Sequence, residues 1–181
     1  MAWHDCYKTV EEQLASLLAG ELEDGSEIPF AVGGHSVVKE VSLSLDTNAY
    51  ASGDVLAATQ EIASALRLSG GSGLLHSIMV LDKDDQAQAL DLVFLNANGS
   101  IGTENSAVSV TDAVADTILG IVEVAAGDYV DLVNSQLAVK TNVGIVLKVA
   151  SGTSLYVAAI SRGTGTYTAS GVTLKVGIIQ D

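Results

Sequence analysis

The residues that could perform acid–base or metal chemistry are few and widely spaced. The three histidines, His4, His35 and His76, show neither the i, i+4 spacing nor the cysteine-paired spacing of zinc sites. His76 lies in an apolar run, where a structural or solvent-facing histidine is commoner than a ligand or general base. The serines and threonines are not part of a G-x-S-x-G or a Gly-Lys-Ser/Thr motif. We therefore predict a protein that is not an enzyme, with no catalytic residues, no cofactor and no bound metal.

Two groups of acidic residues need their own interpretation. Residues 82–85, Asp-Lys-Asp-Asp, resemble the start of a calcium loop, but neither the glycine at the sixth position nor the later glutamate of an EF-hand follows. Asp112 and Asp116 stand four positions apart and could form an acid pair. Val114 and Ile118 share the same short segment at helical spacing. We interpret the first group as a solvated hairpin turn and the second as the wet side of a short helix.

The N-terminus and the single cysteine indicate where the chain is made. The first five residues lack the basic and apolar regions of a secretory signal, so we expect synthesis in the cytoplasm. Cys6 has no partner for an intramolecular disulfide, which fits a reducing compartment. The longest apolar runs, such as residues 118–122, are far shorter than the roughly 20 residues of a membrane helix. We predict no membrane association.

Charge and apolar content together favour contacts between proteins. Eight basic residues against 22 acidic ones give a net charge of −14, which repels nucleic acid phosphates and anionic lipids. We therefore predict no nucleic acid partner. Hydrophobic residues nevertheless make up 48% of the chain. Assembly with copies of itself, as a homodimer or homotrimer, is the simplest way to hide that much apolar surface.

The first 35 residues differ from the rest of the chain. Thr9 and Glu12 form a capping box, and the apolar residues that follow recur at helical spacing, which predicts a short amphipathic helix over residues 7–19. Residues 20–35 are rich in glycine and acids and predict an extended connector. Because so short a helix is marginal in water, its apolar stripe must lie against the following domain, a neighbouring subunit or a larger scaffold.

From residue 36 onward the hydrophobic period becomes two. Val37, Val41 and Leu45 belong to an alternating run that predicts a half-buried strand. Turn-forming residues separate the later strand-like runs, which fall at residues 61–68, 75–81, 89–96, 120–126, 143–150, 155–161 and 172–179. A helical turn or two over residues 111–119 is expected to bridge the sheets. Residues 36–181 are thus predicted to form an all-β domain, an antiparallel jelly-roll-like sandwich of about eight strands.

Four sequence segments of the β domain have a familiar pattern: residues 45–56, 80–85, 90–95 and 155–164. They resemble segments of virion structural proteins of tailed bacteriophages. The chain is most similar to capsid decoration, or cement, proteins. This resemblance implies a jelly-roll-like fold without enzymatic activity, bound to the outside of a phage capsid, where it cements neighbouring major capsid protein subunits.

Two alternative functions remain open at this point. One is a structural role in the phage tail, baseplate or fibre. The other is a receptor- or glycan-binding module, which would need exposed aromatic side chains in its loops. In the cement-protein hypothesis, an intersubunit or capsid-facing contact is made by the apolar stripe of the N-terminal helix and two nearby aromatic residues: Trp3, Tyr7, Val10, Leu14, Leu17 and Leu18.

Overall fold

The computed structural model describes residues 35–181, and these form two antiparallel β-sheets. The strands are β1 (His35–Ser42), β2 (Val55–Ile62), β3 (Ser72–Asp82), β4 (Leu90–Leu95), β5 (Ile118–Val124), β6 (Tyr129–Asp131), β7 (Gln136–Lys148), β8 (Leu155–Ser161) and β9 (Val172–Gln180). One α-helix, α1 (Asp112–Ala115), precedes β5, and a 3-10 turn (Ala126–Asp128) precedes β6. The predicted all-β sandwich is confirmed. The predicted N-terminal helix and arm, residues 1–34, lie outside the described residues.

The strand order places sequence neighbours in opposite sheets at most connections. One sheet has the order β1-β9-β3-β7-β6 and the other the order β2-β8-β4-β5. Only the connections β4 to β5 and β6 to β7 stay within one sheet, and the other six among the described strands pass from one sheet to the other. Such crossing connections between two antiparallel sheets are those of a jelly-roll-like sandwich.

The main core fills the space between the sheets. The alternating run predicted for β1 continues beyond the strand, because Val41, Leu43 and Leu45 are all buried in this core. Phe94 of β4 is fully buried there, and Tyr50 and Tyr167 are buried in the same core. A core built chiefly from Val, Ile and Leu packs closely without the aromatic platforms that bind bases or sugars.

A second, smaller core covers the outside of the four-stranded sheet. Every residue of β4 is buried, since its Val93 and Leu95 side chains point away from the main core into this second one. Residues 96–117 supply the cover: Ile101 is buried there, and Val114 of α1 packs against the cluster. Backbone hydrogen bonds hold this cover to β2, with Val55 N–H donating to the carbonyl of Ser106 at 2.8 Å. Strand β4 is therefore buried on both faces.

One predicted strand was misplaced and one helix was shorter than expected. The predicted strand over residues 61–68 is wrong, because β2 ends at Ile62 and Ser64 adopts φ 51°, a left-handed conformation that breaks a strand. Ala65 and Leu66 are still buried in the main core, which explains the apolar pattern. The predicted helical segment over residues 111–119 contains the four-residue helix α1, and Ile118 begins β5 instead.

Candidate interaction surface

The outer face of the five-stranded sheet is apolar and is not covered by other described residues as the four-stranded sheet is. Its outward-pointing side chains alternate with core residues along each strand. Val146 is 68% exposed and Val139 47% exposed, although both lie within the long strand β7. We call the following set the outer apolar face: Val38, Leu74, Met79, Leu81, Val130, Leu137, Val139, Val146 and Ile179.

Strand pairing arranges this face in rows across the sheet. In the first row Leu74 of β3 lies between Val146 of β7 and Ile179 of β9. At the opposite end of the strands Leu81 pairs with Leu137, which in turn pairs with Val130 of β6. Cross-strand apolar pairs of this kind form a continuous surface.

Few charges interrupt the outer apolar face. Glu40 is the only carboxylate among the outward-pointing strand residues of the described part of this sheet, and it lies 3.7 Å from the Lys175 amine. Lys148 donates a hydrogen bond to the carbonyl of Gly70 at 2.6 Å. Of the 15 acidic residues between positions 35 and 181, the other 14 are not among the outward-pointing strand residues of this face.

A β-bulge makes a shallow depression at one side of the face. The pairing register of β3 shifts between Leu75 and Ser77: on the β9 side His76 is the extra residue, and on the β7 side residues 142–144 lie opposite it unpaired. Gly177 lies opposite, where an added Cβ would come within 2.3 Å of the Ser77 hydroxyl oxygen, so only glycine fits without rearrangement. The depression is lined by these residues together with Val38 and Ile179. His76 is exposed here, as its sequence context suggested.

The hairpin that joins β6 to β7 extends the apolar surface beyond the sheet. Leu132 and Val133 are both exposed, Val133 by 79%. Val133 has φ 77°, a conformation that is costly for a β-branched residue. Asp131 stabilises the turn, since its carboxylate accepts a 2.6 Å hydrogen bond from the Val133 amide.

The acidic run at residues 82–85 organises its own loop. Asp82 is buried, and its carboxylate accepts hydrogen bonds from the amides of Asp84, Gln86 and Ala87 at 2.8–3.0 Å. The Asp84 carboxylate accepts a 2.7 Å hydrogen bond from the Thr168 amide. The carboxylate oxygens are thus acceptors for the chain's own N–H groups. Residues 35–181 contain no group of three or more His, Cys, Asp or Glu side chains arranged to hold a metal ion.

A partly buried ion pair lies where β8 ends and β4 begins, and sequence reasoning did not identify it. Asp91 of β4 is only 8% exposed and lies in register with Glu123 of β5. The guanidinium of Arg162 donates to the Asp91 carboxylate at 2.6 Å and so offsets the repulsion between the two acids. No local motif relates these three residues, which come together only through sheet pairing.

Three buried tyrosines have a raised pKa, and Asp46 and Asp128 have a lowered pKa; for Asp46 the main cause is the hydrogen bond from the Asn48 amide. Burial raises the pKa of Tyr50 to about 12, and burial likewise raises the pKa of Tyr129 and of Tyr167. The rings of Tyr50 and Tyr167 pack edge to face, with centroids 6.1 Å apart. The Lys140 amine, 2.5 Å from the Asp128 carboxylate, lowers the pKa of Asp128 through its hydrogen bond.

The residues predicted to form the interface lie outside the described residues. All six, from Trp3 to Leu18, fall within residues 1–34, and so do His4 and Cys6. The described part of the chain holds no helix whose length and hydropathy would suffice to cross a membrane. Sequence analysis therefore placed the contact surface on the N-terminal segment and missed the outer apolar face. The alternation of Val139 and Val146 with their neighbours was the available signal.

Comparison with known proteins gives distant structural likenesses. No family model and no curated protein matches the chain. The capsid asymmetric unit of cyanophage Pam1 is 18% identical, with a TM-score of 0.35, over 86% of this chain and 92% of that chain. Desmodium yellow mottle tymovirus is 13% identical, with a TM-score of 0.27, over 84% of this chain and 91% of that one. The TM-scores are too low for these likenesses to establish a shared fold or function.

Proposed function

We propose that this chain is a structural virion protein that binds the outside of a phage capsid and cements neighbouring major capsid protein subunits. The observation that carries this proposal is the outer apolar face, an almost acid-free surface on a chain of net charge −14. Fully burying an exposed aliphatic side chain contributes about 1.5–3 kcal/mol. A surface of several such residues therefore supports a stable contact between protein bodies.

The charge distribution supports a protein partner over a nucleic acid. Acidic side chains, most of them away from this face, repel phosphates, whereas the face itself offers apolar contact with two lysines, Lys148 and Lys175, at its margins. The resemblance of residues 45–56, 90–95 and 155–164 to phage virion proteins points to the same class of partner. These segments include strands β4 and β8, which form the centre of the four-stranded sheet.

A glycan-binding role has little support in the described residues. The five aromatic residues of this region are buried or half-buried: Tyr50, Phe94, Tyr129, Tyr156 and Tyr167. Stacking on a sugar ring requires an aromatic face that is open to solvent. A component of the tail, baseplate or fibre would use the same kind of apolar surface, so only the location of the protein in the virion distinguishes this alternative from the capsid role.

The location is tested on purified virions of the phage that encodes the chain. Heads and tails are separated and analysed by mass spectrometry, and the expected result is that the chain is found with the heads at a fixed ratio to the major capsid protein. Its presence only with the tails would instead establish the alternative role. Cryo-microscopy of heads should show the sandwich on the outer surface, bridging adjacent subunits.

The cementing activity is tested with virions that lack the protein. Such particles should release DNA at a lower temperature than wild-type particles, and addition of the purified chain should restore the original release temperature. An unrelated acidic protein of similar size serves as the control. Unchanged heat tolerance of the deficient particles would refute cementing.

A further inference from the structure

We propose that the outer apolar face is the docking site for the N-terminal segment, residues 1–34, of a neighbouring copy of this chain. This inference rests on the proposed function as an assembly protein and names the contact between copies. The occupant is a segment with the apolar stripe Val10, Leu14, Leu17 and Leu18, which the sequence predicts to lie on one side of a helix.

The dimensions of the face match those of the predicted helix. Leu74 and Leu81 are seven positions apart along β3, which corresponds to about 23 Å at the rise of an extended strand. A helix over residues 7–19 is about 20 Å long. The row from Ile179 through Leu74 to Val146 crosses two strand spacings, or about 10 Å, close to the diameter of one helix.

The charges of the two partners are complementary. Residues 1–34 contain one lysine and seven acidic residues, so their net charge is 1 − 7 = −6. The outer apolar face has Lys148 and Lys175 and a single carboxylate, Glu40. Most of the remaining surface of residues 35–181 carries the other carboxylates and would repel an acidic segment, so this face is the favourable place for it.

The chain enters the sandwich beside this face. Residue 35 begins β1, the edge strand next to β9, and Ser36 and Val38 line the depression together with Ile179. The predicted connector contributes about 15 residues between the helix and β1, and its maximum extension is roughly 50 Å. A folded body of about 150 residues is roughly 40 Å across, given its expected radius of gyration. The segment is therefore long enough to reach the equivalent face of an adjacent copy.

Two full-length variants test the two sides of the proposed contact, the outer apolar face and the N-terminal segment, one at a time. The face variant, Val139→Asp with Val146→Asp, places negative charges, which also repel the acidic segment, at two exposed positions of β7. The segment variant, Leu14→Asp with Leu17→Asp, disrupts the apolar stripe. A matched control, Ile121→Asp, adds the same kind of charge at an apolar residue of β5 that is 51% exposed on the other sheet.

Self-association is measured by analytical ultracentrifugation at several concentrations. The wild type and the control should form the same oligomer, and each variant should associate at least tenfold more weakly. Circular dichroism and thermal unfolding of each variant should match the wild type, which excludes loss of folding as the cause.

Mixing the two variants identifies the source of the segment. The face variant still has an intact segment and the segment variant still has an intact face, so a 1:1 mixture should recover an oligomer that neither variant forms alone. A mixture that stays monomeric would overturn the proposal, as would a monomeric wild type or an unweakened face variant. The heat-release assay on virions is independent of this result, so failure here leaves the proposed function separately testable.

Discussion

The Tyr50 hydroxyl holds the turn between β1 and β2, and its removal tests how the two sheets are joined. Tyr50 is buried, and its hydroxyl accepts a 2.7 Å hydrogen bond from the Asp46 amide and donates a 3.0 Å hydrogen bond to the Leu56 carbonyl. Asp46 follows β1 of one sheet, and Leu56 belongs to β2 of the other. Tyr50→Phe removes only the hydroxyl, and the ring that packs edge to face on Tyr167 is kept.

The expected cost follows from the two hydrogen bonds. Each intramolecular hydrogen bond contributes about 1 kcal/mol net, so the loss of both should lower the free energy of unfolding by about 2 kcal/mol. The Leu56 carbonyl is buried and would lose its side-chain partner, which places the true value at or above this figure. For a chain of this size the melting temperature should fall by about 4–8 °C.

Urea unfolding followed by circular dichroism measures this change. The matched control is Tyr156→Phe, because Tyr156 is half-buried and its hydroxyl has no hydrogen bond with any residue between 35 and 181. We expect the control to change stability by less than about 0.5 kcal/mol. Equal effects of the two substitutions would refute the role assigned to the Tyr50 hydroxyl.

Four further predictions follow from the described residues. Burial raises the pKa of Tyr50 to about 12, so above pH 10 the unfolded chain loses a proton that the folded chain keeps. The free energy of unfolding should therefore fall between pH 10 and 12, and urea unfolding midpoints that do not change with pH would contradict this. Asp82→Ala leaves three amides without their acceptor and should cost about 3 kcal/mol in urea unfolding. Arg162→Met leaves Asp91 facing Glu123 without a cation, and because the arginine is partly exposed it should lower the free energy of unfolding by only about 1–2 kcal/mol. Adding Asp91→Asn should recover part of that free energy, which a double-mutant cycle measures. Asparagine adopts the left-handed conformation of Val133 at lower cost than a β-branched residue, so Val133→Asn should raise the free energy of unfolding by about 1 kcal/mol. A lower melting temperature in calorimetry would disprove the strain.

Local sequence patterns identified most strands, but not their limits or neighbours. Residues 155–161 were predicted as a strand and form β8 with the same limits. The first half of β7 was missed because an apolar run, Leu137 to Val139, is followed by a polar run, Lys140 to Asn142, which hides the period of two. This half is nevertheless a strand, because residues 136–141 pair with residues 77–82 of β3. Hydrogen bonding to a neighbour distant in sequence outweighed local propensity there.

The outward and inward sides of a strand were likewise decided by tertiary contacts. In β7 the apolar Val139 points to solvent, whereas the charged Lys140 lies on the side of the buried Ala138 and pairs with Asp128. Hydrophobicity alone would favour the reverse arrangement. The register with β3 fixes which residues face the core, because a shift of one residue would turn every side chain to the other side.

Sequence by itself determined that this chain is an acidic, predominantly β protein, since hydrophobic alternation and charge are properties of local residue order. It also indicated the Asp-Lys-Asp-Asp turn, because an aspartate can accept hydrogen bonds from amides a few residues ahead. Tertiary structure alone decided the strand order, the burial of both faces of β4 and the exposure of the outer apolar face. These depend on which distant segments cover one another, and that is settled by packing between the sheets.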